Sequence, residues 1–262
     1  MKSTMFFTIG IIILFFSCQQ KKVKAARANV VSEINFYTAD SIKIVGDLYE
    51  LDKKGSTILL FHQGGSNARG EYDSIIPKLI DKDFNVLAID QRMGGQVYGN
   101  YNRTLANIPT NNFEDGYSYC DAYNNIESAL DFIIESGFTG NKILWGSSYS
   151  GSLVIQLASK RQDDINGVLA FSPTAGRSMK ECPSHEYFES IKIPLLLLRP
   201  PKEMENENSK MQFNLANKFN HQTYVAKYGV HGSSILIEDR VGNDVDDTWE
   251  TVLSFINSIE NE

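Results

Sequence analysis

The residues best suited to chemistry sit in Trp145-Gly146-Ser147-Ser148-Tyr149-Ser150-Gly151. Ser148 has small residues two positions away on either side, Gly146 and Ser150. An apolar run, Ile143-Leu144-Trp145, precedes it, and a helical pattern (Leu153, Val154, Leu157, Ala158) follows. A serine placed where a buried strand turns into a helix is lifted to the sheet edge, and the helix N-terminus favours a negative charge developing beside it. A serine hydroxyl becomes nucleophilic at neutral pH only with a base nearby. The chain has four histidines, His62, His185, His221 and His231. Ser150 is the rival nucleophile, but the residue two before it is Ser148 where the turn favours glycine.

The rest of the chain reads as a frame for that turn. Glu33 to Thr38 and Ile42 to Leu51 read as two antiparallel strands joined by Ala39-Asp40-Ser41. Continuous apolar runs follow at Thr57–Phe61, Val86–Ile89, Ile143–Trp145, Val168–Phe171, Leu195–Leu198 and Tyr224–Ala226. Runs of this kind mark strands buried on both faces of a parallel sheet. Between them, apolar residues recur at helical spacing: Tyr72, Ile75, Ile76, Leu79 and Ile80; Ile126, Ala129, Leu130 and Ile133; Met211, Leu215, Ala216 and Phe219; Trp249, Val252, Leu253 and Ile256. The expected fold is α/β, a mostly parallel eight-stranded sheet with helices on both faces. Ligands in such sheets gather at the carboxyl ends of the strands.

The strand–Gly146-x-Ser148-x-Ser150–helix segment resembles the nucleophile elbow of the α/β-hydrolase superfamily, with Ser150 departing from the usual glycine. The likeness spans about residues 33 to 260 and is nearest to small members without a large cap domain, similar to dienelactone hydrolases. Those often carry cysteine at the elbow, and Ser148 departs from that chemistry. The family order is nucleophile, acid, histidine. The resemblance therefore implies Ser148 as nucleophile and His231, which follows the last strand, as base; His221 precedes that strand and falls at the wrong end of the sheet. Ile193-Pro194 resembles the family's approach to the seventh strand, and the acid implied beyond Leu198 is Glu203. Most members use Asp there; Glu205 and Glu207 are rivals, and all three also suit an acidic first helical turn. The oxyanion donors implied are the backbone N–H of Tyr149 and one from the loop Phe61-His62-Gln63-Gly64-Gly65-Ser66, either Gln63 or Gly64. His62 reads as an organiser of that loop. The activity implied is hydrolysis of a carboxylic ester or related acyl compound through an acyl-enzyme, on a small-molecule substrate and with no cofactor or metal.

The segment from Gln91 to Asp121 is the longest without an assigned role and leaves the carboxyl end of the fourth strand. Arg92 could grip a substrate carboxylate, or pair with Asp90 or Glu114; Tyr98 is a second possible substrate contact.

The N-terminus reads as an address. Lys2 precedes the apolar stretch Met5 to Phe16, which is too short to span a membrane, a task for about 20 residues. It ends in Leu14-Phe15-Phe16-Ser17-Cys18, which resembles a bacterial lipobox except for Phe15. Residues 1–17 are thus expected to be a signal peptide, Cys18 a lipidated first residue, 18–32 a tether and 33–262 the hydrolase domain, on the membrane of a bacterial cell envelope. Exported cysteines Cys120 and Cys182 could form a disulfide or remain two buried thiols. The formal charge of −7 argues against nucleic acid as a partner. Two other readings stand beside the hydrolase: an inactive α/β-hydrolase that binds a ligand or partner at the envelope, and a peptidase, which would usually bring an added domain to control access.

Overall fold

A computed structural model describes residues 31–108 and 118–261. The proposed signal peptide, Cys18, nearly all of the tether, and Glu114 lie outside the described residues.

Eight strands form one sheet: β1 (Val31–Tyr37), β2 (Lys43–Tyr49), β3 (Thr57–Phe61), β4 (Asn85–Asp90), β5 (Lys142–Ser147), β6 (Gly167–Phe171), β7 (Leu195–Arg199) and β8 (Gln222–Val225). They lie in the order β1-β2-β4-β3-β5-β6-β7-β8. β1 pairs antiparallel with β2, and β2 antiparallel with β4. Every later pairing, from β4 through β3 to β8, is parallel. The chain direction across the sheet reverses around β3, between β4 and β5, so the crevice at their carboxyl ends is the topological place for a ligand.

The helices are α1 (Ala68–Tyr72), α2 (Ile76–Ile80), α3 (Tyr123–Glu135), α4 (Tyr149–Lys160), α5 (Glu207–Lys218), α6 (Glu238–Val241) and α7 (Asp246–Glu260). Alternation along the strands sends side chains to two separate cores. Leu59 and Phe61 of β3 pack with Leu87, Ile89 and Leu144 against Leu130 of α3 and Leu153 of α4. Ile58 and Leu60 pack with Val86, Ile143 and Trp145 against Leu79 of α2 and Val252 and Ile256 of α7. The central strands are therefore buried on both faces, which explains their unbroken apolar runs. Each side chain so buried stabilises the fold by about 1.5–3 kcal/mol.

One element differs from the expectation. The helical pattern from Tyr72 to Ile80 is two short helices, α1 and α2, separated by a turn. Pro77 lies in the first turn of α2 and has no N–H to donate to the carbonyl of Asp73, so one continuous helix cannot form. Within the connection after β4, the described residues hold a two-stranded ribbon, Gln96–Val97 with Asn100–Tyr101, and a 3-10 turn, Thr104–Asn107. Cys120 and Cys182 form a disulfide, with Cα atoms 5.8 Å apart.

Candidate active site

β5 ends in Gly146 and Ser147, and α4 begins at Tyr149. Ser148 between them has φ 60° and ψ −121°, a conformation that L-residues avoid. A Cβ on residue 146 would fall 2.4 Å from the Ser150 carbonyl oxygen, so only glycine lets strand and helix meet this closely. The strain is held by the backbone around it. The Ser148 N–H donates to the Phe171 carbonyl at 2.8 Å, and its carbonyl accepts from Thr174 at 3.1 Å. Ser148 is half-buried while its neighbours are buried, so its hydroxyl is the one offered at the sheet edge.

Ser150 is unsuited to the same role. It is buried, and its Oγ donates to the His62 carbonyl at 2.7 Å and accepts from Gln91 Nε2 at 2.8 Å. The departure from glycine thus ties α4 to the loops leaving β3 and β4. His62 is buried too: the Gln91 N–H donates to its Nε2 at 2.8 Å. The ring proton therefore sits on Nδ1, which donates to the Gln63 carbonyl at 2.8 Å.

His231 lies in the loop after β8, with its ring half-exposed and Nδ1 2.6 Å from Glu203 Oε1. Glu203 comes from the 3-10 turn Pro201–Glu205 that follows β7. Its other oxygen accepts from Arg199 Nη1 at 2.7 Å. Burial pushes the Glu203 carboxyl up, but His231, Arg199 and the Ser172 hydroxyl together outweigh burial and hold it below the ordinary carboxylate value. Glu205 and Glu207 are exposed and do not reach the histidine.

Ser148 and His231 are not joined by a hydrogen bond. Ser148 Oγ lies 3.0 Å from Thr174 Oγ1, on the loop after β6. The His231 Nε2, the nitrogen facing away from Glu203, carries none among the described residues.

The loop after β3 divides its two candidate donors. The Gln63 N–H is already given to Glu71 Oε2, at 2.8 Å. The Gly64 N–H makes no hydrogen bond among the described residues. The Tyr149 N–H, first in α4, has no intrahelical acceptor. Gly64 and Tyr149 are thus the residues with N–H groups free to meet a ligand oxygen.

Arg92 is a correction. Its side chain is fully buried and bonded to both oxygens of Asp40, at 2.5 and 2.9 Å, and to Asn125. A guanidinium spent in this way cannot grip a substrate, and its acidic partner is Asp40. Asp90 pairs instead with Arg103, at 2.6 Å. Tyr98, at the tip of the ribbon, is exposed and has the Arg240 guanidinium 3.8 Å from its ring centre.

Three supports escaped the sequence reading. Arg199 is buried at the end of β7 and also holds the Pro173 carbonyl, at 2.7 Å, and Gln212. A lone arginine closing the apolar run Leu195–Leu198, four residues before Glu203, was the available signal. Ser172 and Thr174 carried none, because their roles depend on a loop crossing from another strand.

A protein with this sheet order, this strained serine turn and a histidine–carboxylate pair beyond the last strands has the α/β-hydrolase fold. Neither a protein-family model nor a curated protein matches the sequence. Solved structures do match in fold. The chain is similar to the esterase Pf2001 of Pyrococcus furiosus, with 17% identity, a TM-score of 0.62 and coverage of 87% of this chain and 92% of that one. It is also similar to a thermostable carboxyl esterase from Bacillus coagulans, with 13% identity, a TM-score of 0.65 and coverage of 88% and 99%. Est1E from Butyrivibrio proteoclasticus, solved with ferulic acid bound, gives 12% identity, a TM-score of 0.65 and coverage of 87% and 100%.

Proposed function

We propose that this protein is a serine hydrolase of carboxylic esters or related acyl compounds. The observation that carries the reading is the 2.6 Å contact between His231 Nδ1 and Glu203, which leaves Nε2 to serve the strained Ser148. Fold likeness to esterases supports the same class of chemistry.

The steps follow from the positions. A substrate carbonyl enters beside Ser148, and the serine hydroxyl turns from Thr174 to His231 Nε2. The oxygen attacks the carbonyl carbon as its proton passes to Nε2. Negative charge gathers on the carbonyl oxygen, where the N–H groups of Gly64 and Tyr149 receive it; each such donor is worth about 3–4 kcal/mol of barrier. Glu203, kept ionised by its neighbours, stabilises the imidazolium through Nδ1. The imidazolium then protonates the leaving alcohol. Water, deprotonated by the same nitrogen, attacks the acyl-enzyme, and the proton returns to Ser148 as the acid leaves.

A second reading, an inactive fold that binds a ligand or partner, draws on one observation: Ser148 is bonded to Thr174 and not to His231. In ligand-free sites catalytic hydrogen bonds are often made only when substrate arrives, so this contact weighs less than the histidine–glutamate pair. A fluorophosphonate probe separates the two. An adduct on the peptide holding Ser148, lost in Ser148→Ala and retained in Ser150→Ala, is the expected result. Folded protein that neither labels nor hydrolyses p-nitrophenyl acetate would overturn the hydrolase reading.

The site is proposed to work at a bacterial envelope, on a lipid anchor at Cys18. Among the described residues no helix is long and apolar enough to cross a membrane.

A further inference from the structure

Tyr119 is unused by the mechanism above, yet it touches both residues that carry the proposed oxyanion donors. Its ring stacks on the ring of Tyr149, with centroids 4.7 Å apart and planes 16° from parallel. Its hydroxyl overhangs Gly64: a Cβ on that glycine would fall 2.7 Å from the Tyr119 oxygen. Residue 64 is therefore glycine for a reason that has nothing to do with its own φ. Any side chain there would displace the phenol.

The phenol is held firmly. Tyr119 begins a 3-10 turn, Tyr119–Ala122, capped by Ser118 and Asp121, and this turn runs directly into α3. The Ser118 N–H donates to Asp121 at 2.6 Å. The next residue, Cys120, is bonded to Cys182, in the segment that continues from Thr174. Stacking accounts for the ring but not for the hydroxyl. That group makes no hydrogen bond among the described residues, and Tyr119 is only partly buried. An unpaired donor is costly when sealed away and inexpensive when it faces an occupant of a cleft.

We propose that the Tyr119 hydroxyl is a third hydrogen-bond donor to the substrate's carbonyl oxygen, beside the N–H groups of Gly64 and Tyr149. The inference rests on the hydrolase reading. The phenol makes and breaks no covalent bond and keeps its proton; it donates a hydrogen bond that strengthens as the oxygen becomes an alkoxide. Tyr119 would thus be a catalytic residue supplied from outside both the elbow and the loop after β3.

The test is Tyr119→Phe, which keeps the ring and removes a hydroxyl that has no partner among the described residues; its circular dichroism and Tm are checked against wild type. With p-nitrophenyl acetate, kcat should fall about 10- to 100-fold with KM changed less than about twofold. Affinity for a trifluoromethyl ketone, which forms a tetrahedral alkoxide on the serine, should weaken by a similar factor. Unchanged kcat and ketone affinity in an active enzyme would overturn the proposal while leaving the hydrolase reading intact, as would an effect confined to KM. A wild-type protein with no esterase activity and no fluorophosphonate adduct would remove the reading beneath it.

Discussion

Ser147, the residue before the proposed nucleophile, accepts the backbone N–H of Ser233 on its hydroxyl at 3.0 Å. The side chain immediately before the strained residue therefore also fixes the loop carrying His231. Two further contacts tighten that loop from neighbouring strands. The Gly232 N–H donates to Ser172 Oγ at 3.0 Å, and Trp145 Nε1 donates to Ser233 Oγ at 2.8 Å. The distance between nucleophile and base is thus governed by buried hydroxyls as well as by the backbone of the loop.

Ser147→Ala should leave the buried Ser233 N–H without an acceptor and lower stability by about 1–3 kcal/mol. Since a small displacement of a catalytic group is expensive, kcat should also drop, by more than KM rises. Urea melts and steady-state kinetics on p-nitrophenyl acetate check both. Wild-type kinetics in a destabilised variant would mean that the clamp supports the fold and not the base.

Glu203→Gln is expected to cut kcat by about 10²- to 10⁴-fold, the range for losing a carboxylate that orients a histidine. It should also cost stability, since buried Arg199 loses its charged partner. Glu205→Gln, on an exposed residue, should change neither. Equal and small effects from both would move the acid elsewhere.

Stability should depend on pH through Glu203. Its folded value lies below the ordinary 4.5, so the pairing contributes fully above that pH and is lost as pH falls through the folded value. Chemical denaturation at neutral pH and at about pH 3 should show a larger loss for wild type than for Glu203→Gln. A parallel loss in the two would assign the acid sensitivity to other carboxylates.

The disulfide joins residues 62 positions apart, a span whose closure is worth about 4 kcal/mol on the chain-entropy estimate. The double variant Cys120→Ala, Cys182→Ala should lose stability of that order. It should also lose activity in the folded state, because it frees the turn holding Tyr119 and the segment continuing from Thr174. Full activity in the folded double variant would limit the bond to a structural role.

Lipidation at Cys18 is checked in a bacterial host fed labelled palmitate. Wild type should take up label and Cys18→Ala should not; equal uptake would refute the anchor.

The amino-acid sequence alone determined the sheet. Unbroken apolar runs such as Leu195–Leu198 and helical repeats such as Trp249, Val252 and Ile256 are local signals, because burial on one or two faces is written directly into residue spacing. The serine turn was legible for the same reason: Gly146 and Ser148 lie within one tight segment. Tertiary structure decided the matters that depend on residues far apart in the chain. Which glutamate meets His231 depends on the single 3-10 turn after β7, which directs Glu203 inward and leaves Glu205 in solvent. Which amide of the loop after β3 stays free depends on Glu71, eight residues on, taking the Gln63 N–H. Arg92 was open to a substrate carboxylate, Asp90 or Glu114 by its sequence, because nothing in residue spacing brings Asp40 to it across 52 residues. Tyr119 became visible at the site only when folding laid it over Gly64 and Tyr149. Hydrogen bonds and ion pairs act over about 3 Å in space and have no fixed separation along the chain, so their partners are set by the fold.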